Sequence, residues 1–253
     1  MNILKASIIF ILLFISTSSA FAVDERYRDK VQTIIDLFSD GNKEGLSKLI
    51  KYPLERQAPI SSVKNAKEMV ERFDDVFDQE FVSMITSSTP DEWSLMGWRG
   101  VMFKSGLLWM DLDGTIWSVT YQSQIEEQIK DNLILSKKQT LHKSVKQFSK
   151  PVLEWKTSKF HIRVDDLGRY NYRYAVWPIG VPHSNKPDLV LEHGELEFDG
   201  SGGNRSYTFT NGKYKYKCFV WALGTSTSPP GILEVFRGDE LLLSDHVVEV
   251  VHN

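Results

Sequence analysis

The chain has 253 residues, 42% of them hydrophobic, 12% aromatic and 25% charged, a balance that belongs to folded globular chains and excludes disordered and collagen-like ones. Lys and Arg number 30 against 33 Asp and Glu, the net charge is −3, and no long run of one sign occurs. Neutralising many phosphates needs a concentrated basic surface, so nucleic acid is not an expected partner.

The N-terminus reads as a secretory signal peptide. Met1 to Lys5 carries one positive charge, Ala6 to Ile15 is a nearly unbroken apolar run, and Ala20-Phe21-Ala22 places small residues where a signal peptidase cleaves. The apolar run breaks at Ser16-Thr17-Ser18-Ser19, short of the roughly 20 residues that cross a bilayer. Cleavage is expected after Ala22, leaving a mature chain without a transmembrane segment. The single cysteine, Cys218, forbids an internal disulfide, whereas secreted eukaryotic chains of this size are usually stapled by them. The expected location is therefore the bacterial periplasm or the exterior.

Beyond the leader, the texture changes midway from helical periodicity to strand alternation, which predicts two domains, residues 23–122 and 151–253, joined by a basic, partly helical linker over 123–150. Acidic residues are in excess in the first half and basic residues slightly so from residue 123 onward.

In the first half, Tyr27, Val31, Ile34, Ile35 and Phe38 fall on one helical face, and Asp40-Gly41 ends that helix. A short helix over Lys43 to Lys51 stops at Tyr52-Pro53, because proline has no amide hydrogen to continue it. A third helix, capped by Ser61 or Ser62, carries the stripe Ala66, Met69, Val70, Phe73, Val76 and Phe77 and must end before Ser87 to Pro90. Strands are predicted over Trp93 to Phe103, Leu107 to Leu112 and Thr115 to Tyr121, the last two joined by the hairpin dipeptide Asp113-Gly114. Helices followed by an antiparallel meander make an α+β domain.

The order of these elements, Tyr52-Pro53-Leu54, and the run Gly100-Val101-Met102 through Gly106, Trp109, Asp113-Gly114 and Ile116 resemble the small cone-shaped NTF2-like domains over residues 24–122. The resemblance implies a curved sheet wrapped round helices with a pocket between them. That fold serves enzymes and binders alike, so function has to come from the site.

The second half alternates over Phe160 to Val164, Tyr170 to Trp177, Leu189 to Phe198, Tyr207 to Phe209, Tyr214 to Ala222, Ile232 to Phe236 and Leu241 to Val251, with turns between, and predicts a β-sandwich. On Tyr214 to Ala222, Cys218 shares the parity of Tyr214 and Tyr216 and is expected in the core rather than as a nucleophile. Tyr170, Tyr172 and Tyr174 also share a face and are read mainly as core.

All six histidines follow residue 140, so the pocket-forming half has neither His nor Cys to build a nucleophile and base. Asp111 and Asp113 share a strand face, but Asp113 is accounted for by its turn and Asp111 by a solvated position. His183 and His193, with Asp188 and Glu192 between them, lack the spacing of a zinc or calcium motif. The glycine-rich stretch Gly200 to Asn204 lacks the Lys-Ser/Thr of a phosphate loop. No catalytic residue, metal or cofactor is assigned. Trp98, Arg99, Trp109 and Trp117 are the candidate ligand-binding residues, an apolar pocket with one cationic contact. The expected function is an exported, non-catalytic binding or interaction protein, its partner an envelope protein, a cell-wall component or a small ligand. The rivals are a carboxylate-dependent hydrolase or lyase and a glycan or peptidoglycan binder.

Overall fold

The computed structural model describes residues 25–200, 202–222 and 228–251, so the expected leader, residues 1–22, lies outside the described residues. The fold is α+β: helices with a small antiparallel sheet come first, and a large curled antiparallel sheet follows.

Helix α1 (Glu25–Ser39) buries Val31, Ile34, Ile35 and Phe38, the predicted stripe. Asn42 caps α2 (Lys43–Lys48) by accepting from the Gly45 amide. The predicted third helix is instead three: α3 (Ala66–Glu71), α4 (Phe73–Val76) and α5 (Gln79–Thr86). Its first cap is Asn65 rather than Ser61 or Ser62. The break before α5 comes from Asp78, whose carboxylate accepts from the Phe81 amide at 3.0 Å and so restarts the helix. The apolar stripe runs on through Phe73, Phe77 and Phe81, which hides the break from periodicity alone.

The small sheet comprises β1 (Trp93–Leu95), β2 (Val101–Phe103), β3 (Leu108–Met110) and β4 (Ile116–Val119), in that order and antiparallel. The single strand expected over 93–103 folds back on itself, pairing Trp93 with Phe103, through a short 3-10 turn at Gly97–Arg99. Gly100 makes the return possible. Its φ is 94°, and a Cβ there would lie 2.1 Å from the Met110 carbonyl oxygen. Between helices and sheet, Phe38, Phe77, Phe81, Phe103 and Trp93 pack ring on ring, with Phe77 and Phe81 stacked at 5.3 Å and Trp93 and Phe103 at 4.9 Å.

Helix α6 (Gln124–Thr140) takes up most of the expected partly helical linker and is capped by Ser123. Its Glu126 receives Arg56 from the segment after α2, and both side chains are buried. This pair fastens α6 to the helical half.

The large sheet contains β5 (Lys150–Lys156), β6 (Phe160–Asp166), β7 (Tyr172–Pro178), β8 (Leu189–Asp199), β9 (Asn204–Asn211), β10 (Tyr214–Val220), β11 (Gly231–Arg237), β12 (Glu240–His246) and β13 (Glu249–Val250). The spatial order is β12-β11-β10-β9-β8-β7-β6-β5-β13. Only Val247 and Val248 separate β12 from β13, yet these two strands hold opposite edges, so the sheet must curl until its edges meet. The Val248 amide donates to the Lys156 carbonyl at 2.9 Å, and Ser158 Oγ donates to Asp245 at 3.1 Å across that seam. The alternation read as a two-sheet sandwich thus belongs to strands hydrogen-bonded as one sheet. Strand β8 makes the bend: Leu189 to Gly194 face β7, and Glu195 to Asp199 pair with β9. At the bend Gly194 lies against Phe209, where a Cβ would be 2.1 Å from the ring. Trp155, Ile162, Val164, Tyr172, Tyr174, Phe209 and Cys218 fill the inside of the curl. Burial pushes the Cys218 thiol well above its usual range, as fits a core residue.

Candidate functional site

The four expected ligand-binding residues sit on the outside of the helical half. Trp98 is 86% exposed on the 3-10 turn, with the Arg99 guanidinium 5.7 Å from its ring centre. Trp109 on β3 and Trp117 on β4 form a tilted pair 5.7 Å apart, on the sheet face opposite Leu108, Met110 and Ile116, which face the core. None of the four lines the cavities described below, and the interior where the pocket was expected holds the packed aromatic rings. Asp111 serves the backbone: its Oδ1 accepts from the amides of Asp113 and Thr115, each at 2.9 Å.

A groove with a volume of about 530 Å³ lies between the two halves. One wall is the segment after α2, including Arg56, Ala58, Pro59 and Ile60; the other is β5 with Arg205, Val220, Trp221 and Val250. A second cavity of about 380 Å³ continues it past Tyr172, Leu196, Phe198 and Tyr207. Ala58, Pro151, Val152 and Arg205 line both, so Arg205 stands where they meet. Glu55, Arg56, Lys137 and Glu154 also line the first cavity, but where the two meet the half-buried Arg205 guanidinium stands among Ala58, Pro151 and Val152, a setting that suits an apolar body bearing an anionic group.

A second constellation lies on the outer face of β5, β6 and β7. Antiparallel register places Glu154 opposite Arg163, Lys156 opposite His161, His161 opposite Trp177, and Asp165 opposite Arg173. Side chains alternate along a strand, so these all project from the face opposite the curled core. The C-terminal half of α6 and the segment 141–148 cover this face, burying Leu141, Val145 and Phe148 with Trp177. Asp165 binds Arg163 at 2.6 Å and Arg173 at 2.7 Å, and Arg173 also donates to the carbonyls of Val145 and Gln147. Glu154 Oε2 receives Lys137 of α6 at 2.5 Å and Arg163 at 3.1 Å.

Glu154 Oε1 faces two imidazoles, His161 Nε2 at 3.4 Å and His183 Nδ1 at 3.8 Å. His183 arrives on the loop after β7. The loop is pinned by the His142 amide donating to the His183 carbonyl at 2.8 Å and by Trp177 Nε1 donating to the Asn185 carbonyl at 2.9 Å. The His183 ring packs between His161, 3.8 Å away, and Trp177, 4.5 Å away. Burial, then the neighbouring His161, Arg163 and Lys137, pushes the His183 pKa down to about 4, against the pull of Glu154. Burial alone would raise the Glu154 carboxyl, but His161, Lys137 and Arg163 outweigh it and hold the value down at about 2. A shallow groove of about 560 Å³, lined by Gln139, Thr140, Val181, Pro182 and Ser184, opens onto the two rings.

His183 and His193 show no metal-motif spacing in the sequence, and the bend in β8 carries His193 to an exposed position at φ 61°. The partners of His183, Glu154 and His161, are joined by a tight turn at Thr157 to Lys159, a hairpin the sequence reading left out because it had no strand over 150–156. Searches against protein-family models, curated proteins and solved structures find no match for the chain.

Proposed function

We propose that the chain is an exported binding protein whose ligand, an apolar molecule with an anionic group, lies in the groove between the helical half and the curled sheet. The observation that carries this is Arg205, half-buried at the junction of two adjoining cavities among the apolar walls of Ala58, Pro151 and Val152. Export to the bacterial envelope rests on the leader pattern of residues 1–22. The NTF2-like resemblance of residues 24–122 belongs to the same proposal, supported by five helices packed on a four-stranded meander. In it, the aromatic packing moves the binding surface to the boundary with the curled sheet, which acts as the second recognition module. The carboxylate-enzyme rival finds less support, because Asp111 is occupied by two backbone amides.

The test uses 1-anilinonaphthalene-8-sulfonate, an apolar anion whose fluorescence rises in apolar surroundings. Saturable binding to the folded chain is expected, weakened about tenfold or more by Arg205→Ala and by Trp221→Ala, and unchanged by Arg237→Ala at an exposed hairpin tip. Equal binding by all three folded variants would refute the proposal.

A further inference from the structure

We infer that Glu154, His161 and His183 form a binding site for a divalent transition-metal ion of the zinc type. In a four-coordinate zinc site with bonds near 2.0–2.1 Å, neighbouring donor atoms stand about 3.3 Å apart. Glu154 Oε1 already lies 3.4 Å from His161 Nε2 and 3.8 Å from His183 Nδ1, and one donor atom from each of the three residues falls within 4.8 Å of the other two. The donors come from two adjacent strands and one pinned loop, so the site is held by the fold rather than by a single flexible segment.

Three further features suit a metal. His161 Nε2 is buried without a hydrogen-bond partner although it is within reach of Glu154, a costly state for a ring nitrogen that a metal bond would relieve. Lys137 and Arg163 hold Glu154 Oε2 and leave Oε1 turned to the imidazoles, the orienting role that groups behind a ligand play in metal sites. The two rings border the groove that contains Thr140 and Ser184, so a coordination position stays open toward solvent or an external ligand.

The surrounding charge decides which ion. With Lys137, Arg163 and Arg173 against Glu154 and Asp165, the cluster is already net positive, and a hard ion held by charge alone, such as calcium or magnesium, finds one carboxylate oxygen and strong repulsion. An ion that bonds imidazole nitrogen well, as zinc does, gains from the two histidines what it loses to the cations.

The experiment uses the untagged full chain, dialysed against chelator and titrated with Zn²⁺ by calorimetry and with Co²⁺ by visible absorption. One Zn²⁺ per chain and the intense visible bands of four-coordinate Co²⁺ are expected. His183→Gln, a loop substitution that leaves the sheet intact, should weaken binding about 100-fold or more, and His161→Gln should do the same; His193→Gln and His246→Gln, both exposed, should change nothing. Circular dichroism checks that each variant is folded, and if His161→Gln is not, His183→Gln decides alone. No saturable binding, a weak six-coordinate Co²⁺ spectrum, binding that survives His183→Gln, or a loss shared by His193→Gln and His246→Gln would overturn the inference. Retention of Ca²⁺ or Mg²⁺ in preference to Zn²⁺ would overturn it as well.

Discussion

Removing Glu126 should unfasten α6 from the helical half at a large and measurable cost. Arg56 is 2% exposed and Glu126 fully buried. Arg56 Nε donates to Glu126 Oε1 at 2.8 Å, and its Nη2 donates to Oε2 and to the Tyr121 carbonyl, the latter at 2.6 Å. Nη1 donates to the Val119 carbonyl at 2.5 Å, and Gln122 supplies a further donor to Glu126 at 3.0 Å. A carboxylate and a guanidinium this well satisfied repay their desolvation only together. Glu126→Leu leaves a buried guanidinium with two carbonyls for company, and about 3–5 kcal/mol of stability should be lost. Arg56→Met should cost a similar amount, because it strands the carboxylate and both carbonyls. The double variant Arg56→Met/Glu126→Leu removes both charges and leaves the two carbonyls and the Gln122 amide without these partners, so its loss should fall short of the sum by about 2 kcal/mol or more. Against a total stability of roughly 5–15 kcal/mol, these changes are readily resolved by urea unfolding followed through tryptophan fluorescence. Additive losses, or a Glu126→Leu cost below about 1 kcal/mol, would refute the reasoning.

Asp78 accepts from the Phe81 amide, the Gln124 amide and the Tyr121 hydroxyl; burial would raise its carboxyl, but these bonds outweigh it and hold the pKa below the usual value. The unfolded chain therefore binds this proton first as pH falls, so the stability from Asp78 is present above about pH 4 and lost below it, and Asp78→Asn should flatten that acid limb of the melting temperature. Gly100→Ala forces a Cβ into the Met110 carbonyl at a φ few side chains adopt, and should cost about 3 kcal/mol or more by thermal unfolding, where a neutral result would contradict the described turn. Cys218, fully buried, should resist thiol reagents in the folded chain, and Cys218→Ala should cost about 1–3 kcal/mol through a small cavity; rapid labelling without unfolding would place it elsewhere.

Elements whose apolar period agrees with their length were legible from residues alone. The α1 stripe shows this, as do most strands of the curled sheet, where Tyr172, Tyr174 and Cys218 fall inside as parity predicts, while Tyr170 precedes its strand at 88% exposure and Tyr214 lies exposed at the strand end. The misses arose where one local choice interrupts a continuous pattern. Asp78 splits a phenylalanine stripe by capping, Gly97 to Gly100 folds one apparent strand into two, and Pro151 masks β5 between polar Lys150 and Glu154. The missed strand explains the missed cluster, since Glu154 and His161 meet only through the β5–β6 register and His183 only through a loop with no periodicity to read. Tryptophan content suggested a pocket, whereas the structure places these rings on the outside, for a related reason. Composition reports how many large rings a sheet carries, and only the packing of Trp93 and Phe103 inside decides that Trp98, Trp109 and Trp117 stay outside.

Hydrogen–deuterium exchange of the folded chain, with and without saturating 1-anilinonaphthalene-8-sulfonate, tests the location of binding most directly, because it reports which backbone the bound molecule covers or steadies. Protection is expected in residues 55–62, in Pro151 to Trp155 and around Arg205, the walls of the groove. Protection confined to the face carrying Trp98, Trp109 and Trp117, with those segments unchanged, would contradict the account and return the binding surface to the outside of the small sheet.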